Sequence, residues 1–214
     1  MPLSSRYRPA AQIVLRGYVN EPDTIDFIVQ HARDGDIIHA GAFFGDFLPA
    51  LSRGCSASSK IWAFEPDPES YRCALITTLI NDLKNISLIN AGLGEASGVA
   101  ELVTQDDKRS ALGELSYIRP RSGRDSPDAV AVEIVAIDNV VPADRKVSVL
   151  QLDVEGYEQQ ALSGALVTIH RNRPFLILET LPGEEWFAKN LKPLGYRIDR
   201  QIHYNTLLIS DSAA

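Results

Sequence analysis

Cysteine is scarce in this chain: Cys55 and Cys73 are the only two in 214 residues. Both fall in segments that read as helical, so the expectation is a pair of buried or half-buried thiols, not a disulfide framework. Positive charge is scarce as well. Lys and Arg number 21 against 28 Asp and Glu, a formal charge of -7. A protein that grips a phosphate backbone usually shows a basic face, so no nucleic-acid partner is expected. No stretch approaches the roughly 18 uninterrupted apolar residues of a membrane span, and Met1 to Pro9 hold no apolar core of signal-peptide length. The reading is therefore a cytoplasmic protein without a membrane partner. Internal repeats and low-complexity tracts are also missing. What is present, 45% hydrophobic residues over this length, fits one globular domain with a well-buried core.

Apolar strands alternate with helical segments, the pattern of a parallel sheet covered on both faces. Ile13-Val14-Leu15 reads as a short leading strand, and Pro22-Asp23-Thr24 opens a helix through Arg33. A strand follows at Asp36–Ala40, a helix from about Phe44 to Arg53, and a strand at Lys60–Phe64. Asp67-Pro68-Glu69 starts a helix to about Asp82, with Asp67 as its cap. The third strand is Ile86–Asn90. Gly98–Val103 and Ala129–Ile137 alternate in part and are expected to pair antiparallel. Between them Thr104–Asp128, rich in charge, Gly, Ser and Pro, reads as a long mobile loop. Val147–Leu152 is a fourth core strand, Gly156–Ala165 a helix, and Pro174–Glu179 a strand apolar enough to be buried on both faces. A helix over Gly183–Leu191 and two closing strands, Tyr196–Arg200 and Tyr204–Ser210, complete the chain.

Chemistry concentrates at two places. The run Asp36-Ile37-Ile38-His39-Ala40-Gly41-Ala42-Phe43-Phe44-Gly45-Asp46-Phe47 is a strand followed by a glycine turn. Ile61-Trp62-Ala63-Phe64-Glu65-Pro66-Asp67 is a second strand ending in an acid. This order is how a doubly wound sheet holds a nucleoside, with the carboxylate accepting both ribose hydroxyls. Gly41-x-x-x-Gly45 alone is weak, because it lacks the full dinucleotide fingerprint and no Lys-Ser or Lys-Thr pair follows for phosphates. Acids near the turn, Asp46 and Asp67, favour a cationic sulfonium over a pyrophosphate by simple attraction. The second place is Gln151-Leu152-Asp153-Val154-Glu155-Gly156-Tyr157-Glu158, at the carboxyl end of a parallel strand, where ligands of open sheets lie. Glu158 reads as a solvated acid in a first helical turn.

Together with Asn90-Ala91-Gly92-Leu93-Gly94, the continuation Gln159 to Ala165, Pro174-Phe175-Leu176-Ile177-Leu178-Glu179 and Leu194-Gly195-Tyr196, these segments resemble the FkbM family of class I S-adenosylmethionine-dependent methyltransferases. The likeness runs from about Asp36 to Ile209. It implies a doubly wound, mostly parallel seven-stranded α/β sheet with an antiparallel last strand, preceded by an N-terminal extension and helix over residues 1–35. It also implies S-adenosylmethionine as cofactor and methyl transfer, usually to an oxygen of a sugar or natural product. Position by position, Gly41, Ala42 and Gly45 would line the methionine and ribose side, Glu65 with Pro66 beside it would bind the ribose, Asn90 and Leu93 would face the adenine, and Asp153 would stand by the sulfonium. The family usually has an aspartate at His39 and an asparagine at Phe43, both counted here with the cofactor side. Asp36 lies roughly 10 Å too early on the strand to replace the lost acid, which leaves Asp46 or Asp153 for the methionine amino group.

Direct methyl transfer needs an in-line acceptor and a group to take its proton. Asp153, Glu155 and Glu179 are the candidate catalytic acids. Asp153 and Glu179 end adjacent strands, so they would be the ligands of a divalent cation; a single carboxylate base is favoured, since no third ligand is evident. His170 and His203 read as surface and turn residues. Lys108, Arg109, Arg119, Arg121 and Arg124 give the 104–128 loop the alternative of a lid with arginines for an acidic substrate, Trp62 reads as core, and Trp186 as a platform for an acceptor ring. The partner is a small-molecule acceptor, with a homo-oligomer left open. The competing readings are a non-catalytic nucleoside-binding module and an NAD-dependent oxidoreductase.

Overall fold

The computed structural model describes residues 1–121 and 127–211. After two leading helices, α1 (Pro9–Leu15) and α2 (Pro22–Ala32), come β1 (Asp36–Ala40), α3 (Leu48–Gly54), β2 (Ile61–Phe64), α4 (Pro68–Ile80) and β3 (Ile86–Ile89). The short β4 (Gly92–Leu93), β5 (Gly98–Val103), β6 (Tyr117–Arg119) and β7 (Ala129–Val135) follow. The remainder is α5 (Ile137–Val140), β8 (Val147–Leu152), α6 (Glu158–Ser163), α7 (Leu166–Asn172), β9 (Phe175–Leu178), α8 (Glu184–Asn190), β10 (Arg197–Ile202) and β11 (Asn205–Ile209).

Seven strands form one sheet in the order β10-β11-β9-β8-β1-β2-β3. β1, β2, β3, β8 and β9 pair in parallel, and β11 runs antiparallel to β9 and β10. The period of two in the central strands divides the core. Ile38, Trp62, Leu150 and Leu176 face α6 and α7 through Ala161, Leu162, Ala165 and Ile169. Ile37, Ile61, Val149 and Ile177 face α2, α3 and α4 through Ile28, Leu48, Leu51 and Ala74. Every residue of β1 is buried, as both-face coverage of a central parallel strand requires. Asp67 caps α4 by accepting the Ser70 N–H at 2.7 Å, with Pro68 in the first turn, a contact worth about 1 kcal/mol. No helix among the described residues is long and apolar enough to cross a membrane.

Several elements depart from the sequence reading for local reasons. Ile13-Val14-Leu15 is helical, not a strand: Pro9 opens α1 and Ala11 is fully buried in its first turns, where alanine favours helix. The helix expected from Phe44 begins only at Leu48, because Phe43 and Gly45 hold left-handed φ values of 49° and 79°. Likewise Glu155 (φ 53°) and Gly156 (φ 86°) delay α6 to Glu158, and the segment breaks at Gly164 before α7. The 104–128 region is no bare loop. It carries a 3₁₀ turn over Gly113–Leu115 and strand β6, and joins a second sheet of order β4-β7-β5-β6. The antiparallel pairing of β5 and β7 agrees with expectation. Arg124 lies outside the described residues.

Candidate functional site

The carboxyl ends of β1, β2, β8 and β9 converge on a cavity of about 410 Å³. From β1 and its turn come His39, Gly41, Phe43 and Asp46; from β2 come Glu65, Pro66 and Asp67; beyond β8 lie Asp153 and Glu155, and beyond β9 Glu179. Leu93 and Ile118 wall one side. The cover consists of Pro9, Ala10 and Ile13 of α1, Glu21, the 3₁₀ turn Gly113–Leu115 with Ser116, and Tyr204 from the β10–β11 turn. Gly113–Ser116 fall in the loop that the sequence offered as a lid, whereas Pro9, Ala10, Ile13, Glu21 and Tyr204 escaped the sequence reading, because nothing in their local pattern reveals that the chain's first helix and its last hairpin line one opening. Among the described residues, Glu21, Asp46, Glu65, Asp67, Glu114, Asp153, Glu155 and Glu179 line the cavity, while no Lys or Arg does.

Glu65 sits where the second strand ends. Its carboxyl accepts the Phe43 N–H at 2.7 Å and the Asp67 N–H at 2.8 Å, so it ties the glycine turn to the start of α4. Burial pushes it up to about 8, against those two N–H donors, which favour its charged form. Phe43 takes its left-handed conformation with its N–H committed to Glu65, a backbone state that asparagine tolerates better than phenylalanine. Three expected cofactor contacts do not line the cavity. Ala42 is fully buried in the core below. Gly45 packs on α4, where a Cβ would come 3.2 Å from Ala74 Cα. Asn90, an exposed residue, turns its amide onto the carbonyls of Glu65 at 2.8 Å and Pro66 at 3.2 Å, so it braces the end of β2.

His39 is 3% exposed, stacked on Phe47 with ring centroids 5.2 Å apart, and hydrogen-bonded through Nδ1 to Gln151 Oε1. Its Nε2 is buried without a partner. Desolvation lowers it to about 4, so the ring is neutral near pH 7. Burial likewise raises Asp46 to about 6.

Asp153 N–H donates to Ala40 O at 3.1 Å, and Glu179 N–H to Leu152 O at 3.1 Å, which fixes both residues at the sheet's edge. Asp153, Glu155 and Glu179 bring one carboxylate oxygen each within 4.8 Å of one another. Asp153 is held well above the usual carboxylate range by burial and then by the charge and hydrogen bond of Glu179; burial, then Glu179, raises Glu155 to about 7. Glu155, with a left-handed backbone of φ 53°, thus places a third carboxylate oxygen beside the two that the strand ends were expected to bring together. Glu158 is not a solvated acid. It is 1% exposed, accepts the Val154 N–H at 3.2 Å, and keeps Oε2 buried without a partner.

Trp186 lies away from the opening, with Nε1 on Ser163 Oγ at 3.0 Å and its ring against the core. Trp62 is core, as expected. Arg119 faces Glu101 at 2.9 Å and Asp128 at 3.3 Å, and no described basic residue of the 104–121 stretch lines the cavity. His170 is exposed, and His203 occupies the β10–β11 turn with Nε2 3.5 Å from an Asp23 carboxylate oxygen.

A doubly wound sheet of this strand order, with its opening at the carboxyl edge, belongs to the class of folds that hold nucleosides at that edge. Residues 39–203 match the methyltransferase FkbM domain model, and the chain belongs to that family. Its fold is that of class I methyltransferases. The methyltransferase FkbM of Methylobacillus flagellatus KT superposes with a TM-score of 0.50 at 17% identity, over 82% of this chain and 43% of that one. An rRNA methylase of Streptococcus thermophilus gives 0.51 at 13% identity, over 88% and 94%. The chain therefore spans less than half the length of the first of these. No curated protein matches significantly.

Proposed function

We propose that this protein transfers a methyl group from S-adenosylmethionine to a hydroxyl oxygen of a small-molecule acceptor, a sugar or natural product. The observation that carries the reading is Glu65, a carboxylate anchored by two backbone N–H groups at the end of β2, in a cavity whose lining among the described residues includes eight acids and no Lys or Arg. Such a wall suits a cation and disfavours a pyrophosphate, which weighs against NAD. The cofactor supplies an activated methyl on sulfonium sulfur. Glu65 would hold the ribose hydroxyls, Leu93 and Pro66 would pack the adenine, and Asp153 or Glu179 would take the acceptor hydroxyl's proton as its oxygen attacks the methyl carbon, the sulfur–methyl bond breaks and S-adenosylhomocysteine leaves. A non-catalytic nucleoside-binding module would keep Glu65 but have no use for Asp153, Glu155 and Glu179.

Two measurements test the reading. Saturating S-adenosylhomocysteine is expected to raise the melting temperature by roughly 5–10 °C, with no shift from NAD; the reverse result discards it. Asp153→Asn is expected to lower turnover on a true acceptor about 10²- to 10⁴-fold with S-adenosylhomocysteine affinity nearly kept, and unchanged turnover removes Asp153 as base. A second reading, favoured by the three converging oxygens, has a divalent cation on Asp153, Glu155 and Glu179 that acidifies the acceptor hydroxyl. Loss of turnover on chelation, restored by Mg²⁺, would select it over the simple base.

Glu65 also sets a pH dependence. A carboxyl near 8 in the free protein must lose its proton to accept two hydroxyls, so binding below that pH releases a proton. Affinity for S-adenosylhomocysteine is expected to fall about tenfold for each pH unit below 8 and to level off above it. Calorimetry at pH 7 in buffers of different ionisation heat should register close to one proton released; zero would mean Glu65 is already ionised.

A further inference from the structure

Helix α4 shows its large apolar side chains to water. A helix laid on a sheet ordinarily buries that stripe and turns polar residues outward. Here the inward face is small and polar: Ser70 and Ala74 are buried, Cys73 and Thr78 half-buried, and the Thr77 hydroxyl donates to Phe44 O at 2.8 Å. Leu75, Ile76, Leu79 and Ile80 stand on the outward face, from 38% to 76% exposed, and their spacing makes them one stripe. α4 packs beside β3, the last strand of the seven-stranded sheet. That strand, Ile86-Ser87-Leu88-Ile89, carries no charge or proline, whereas the strand at the opposite edge, β10, carries Arg197, Asp199 and Arg200. Charges of that kind keep a foreign strand off an open edge; β3 has none.

We infer that a second copy of this chain covers this face, with β3 paired antiparallel to the copy's β3 across a twofold axis and α4 packed antiparallel on its counterpart. The surface is complementary to itself. An open strand edge offers alternating N–H and C=O groups, which its own twofold image matches. The stripe reads the same from either end: an antiparallel copy centred between Ile76 and Leu79 sets each Ile76 on a Leu79 and each Leu75 on an Ile80. Charge follows the same symmetry. Glu69 and Arg72 stand at the stripe's amino end, and Asp82 and Lys84, exposed and paired with each other, stand at its carboxyl end. Arg72 is thereby turned toward the partner's Asp82, and Glu69 toward the partner's Lys84. A different protein would need none of this symmetry. The twofold also closes the contact at two copies and covers the unguarded edge, which an unrelated helix docked on α4 alone would leave open.

Sedimentation equilibrium of the full chain decides. Wild type is expected to weigh twice the 23.5 kDa of one copy and to dissociate on dilution. Ile76→Asp combined with Leu79→Asp changes only exposed positions, and it is expected to weaken the dimer at least roughly 100-fold, because each copy would bury two unpaired carboxylates. A wild type that stays monomeric up to its solubility limit overturns the inference and leaves the face to another protein. A dimer that the double variant does not weaken overturns it as well, since the copies then meet elsewhere. Should the double variant fold poorly, amide exchange on the wild type supplies the answer. The backbone amides of Ser87 to Ile89 should exchange slowly in concentrated solution and faster on dilution, and exchange that ignores concentration overturns the strand pairing.

Discussion

Gly41→Ala is expected to cost the fold about 3 kcal/mol or more and to abolish stabilisation by S-adenosylhomocysteine. Gly41 has φ +82°, and a Cβ there would stand 2.0 Å from the Asp153 carbonyl oxygen and 3.1 Å from its carbonyl carbon. Left-handed backbone alone costs a non-glycine residue roughly 1–2 kcal/mol. The clash adds to that, and it is with backbone, so no side-chain rotation relieves it. The Asp153 loop is itself pinned, since its N–H is bonded to Ala40 O at 3.1 Å. Whatever moves, the turn under Glu65 and the loop carrying Asp153 separate. Gly17→Ala is the control: φ is +83° there with nothing within 4 Å of a Cβ, so only the conformational part applies, about 1–2 kcal/mol. Urea denaturation of the two variants separates strain from collision. Equal losses at both positions would refute the close approach of the turn to Asp153.

That contact marks the limit of what sequence can carry. The strand–turn–strand–acid order was legible because it depends on neighbours in the chain: apolar runs, two glycines, an acid after Phe64. The antiparallel tail and the β5–β7 pairing were legible for the same reason. Most of the cavity's cover was not: the loop holding Gly113 was offered as a lid, but Pro9 and Tyr204 join it only through tertiary packing. Phe43 shows a subtler limit. The resemblance placed it on the cofactor side and it does line the cavity, but its backbone N–H on Glu65 is what shapes the turn, and main-chain geometry is poorly encoded in residue type. Glu158 failed in the opposite direction. An acid in a first helical turn is usually solvated, yet this one is buried and hydrogen-bonded to the Val154 N–H, a fact set by the left-handed pair Glu155-Gly156 that folds the loop back on the helix.

The second large effect is expected far from the opening. Asp36, 1% exposed at the amino end of β1, accepts the Lys60 N–H at 2.9 Å, the Trp62 indole N–H at 2.8 Å and Arg145 Nε at 2.8 Å, with a further bond from Arg145 Nη2. It thereby ties β1 to β2 and to the segment entering β8, which is why an acid stands at this strand start though it cannot reach the ligand end. Arg145 is about a third exposed and can turn to water once released; the Trp62 indole and Lys60 amide cannot. Asp36→Ala therefore strands two inward-facing donors and is expected to cost about 3 kcal/mol. Arg145→Met, which leaves the buried carboxylate without its cation, should cost a similar amount. Both should lower the urea midpoint with little change in slope. Because four strand steps, about 13 Å, separate Asp36 from Ala40, affinity for S-adenosylhomocysteine measured on the folded fraction should stay within a few-fold of wild type. A loss below 1 kcal/mol would show that water replaces the carboxylate at this site, and a large loss of affinity would show that the two ends of β1 are coupled.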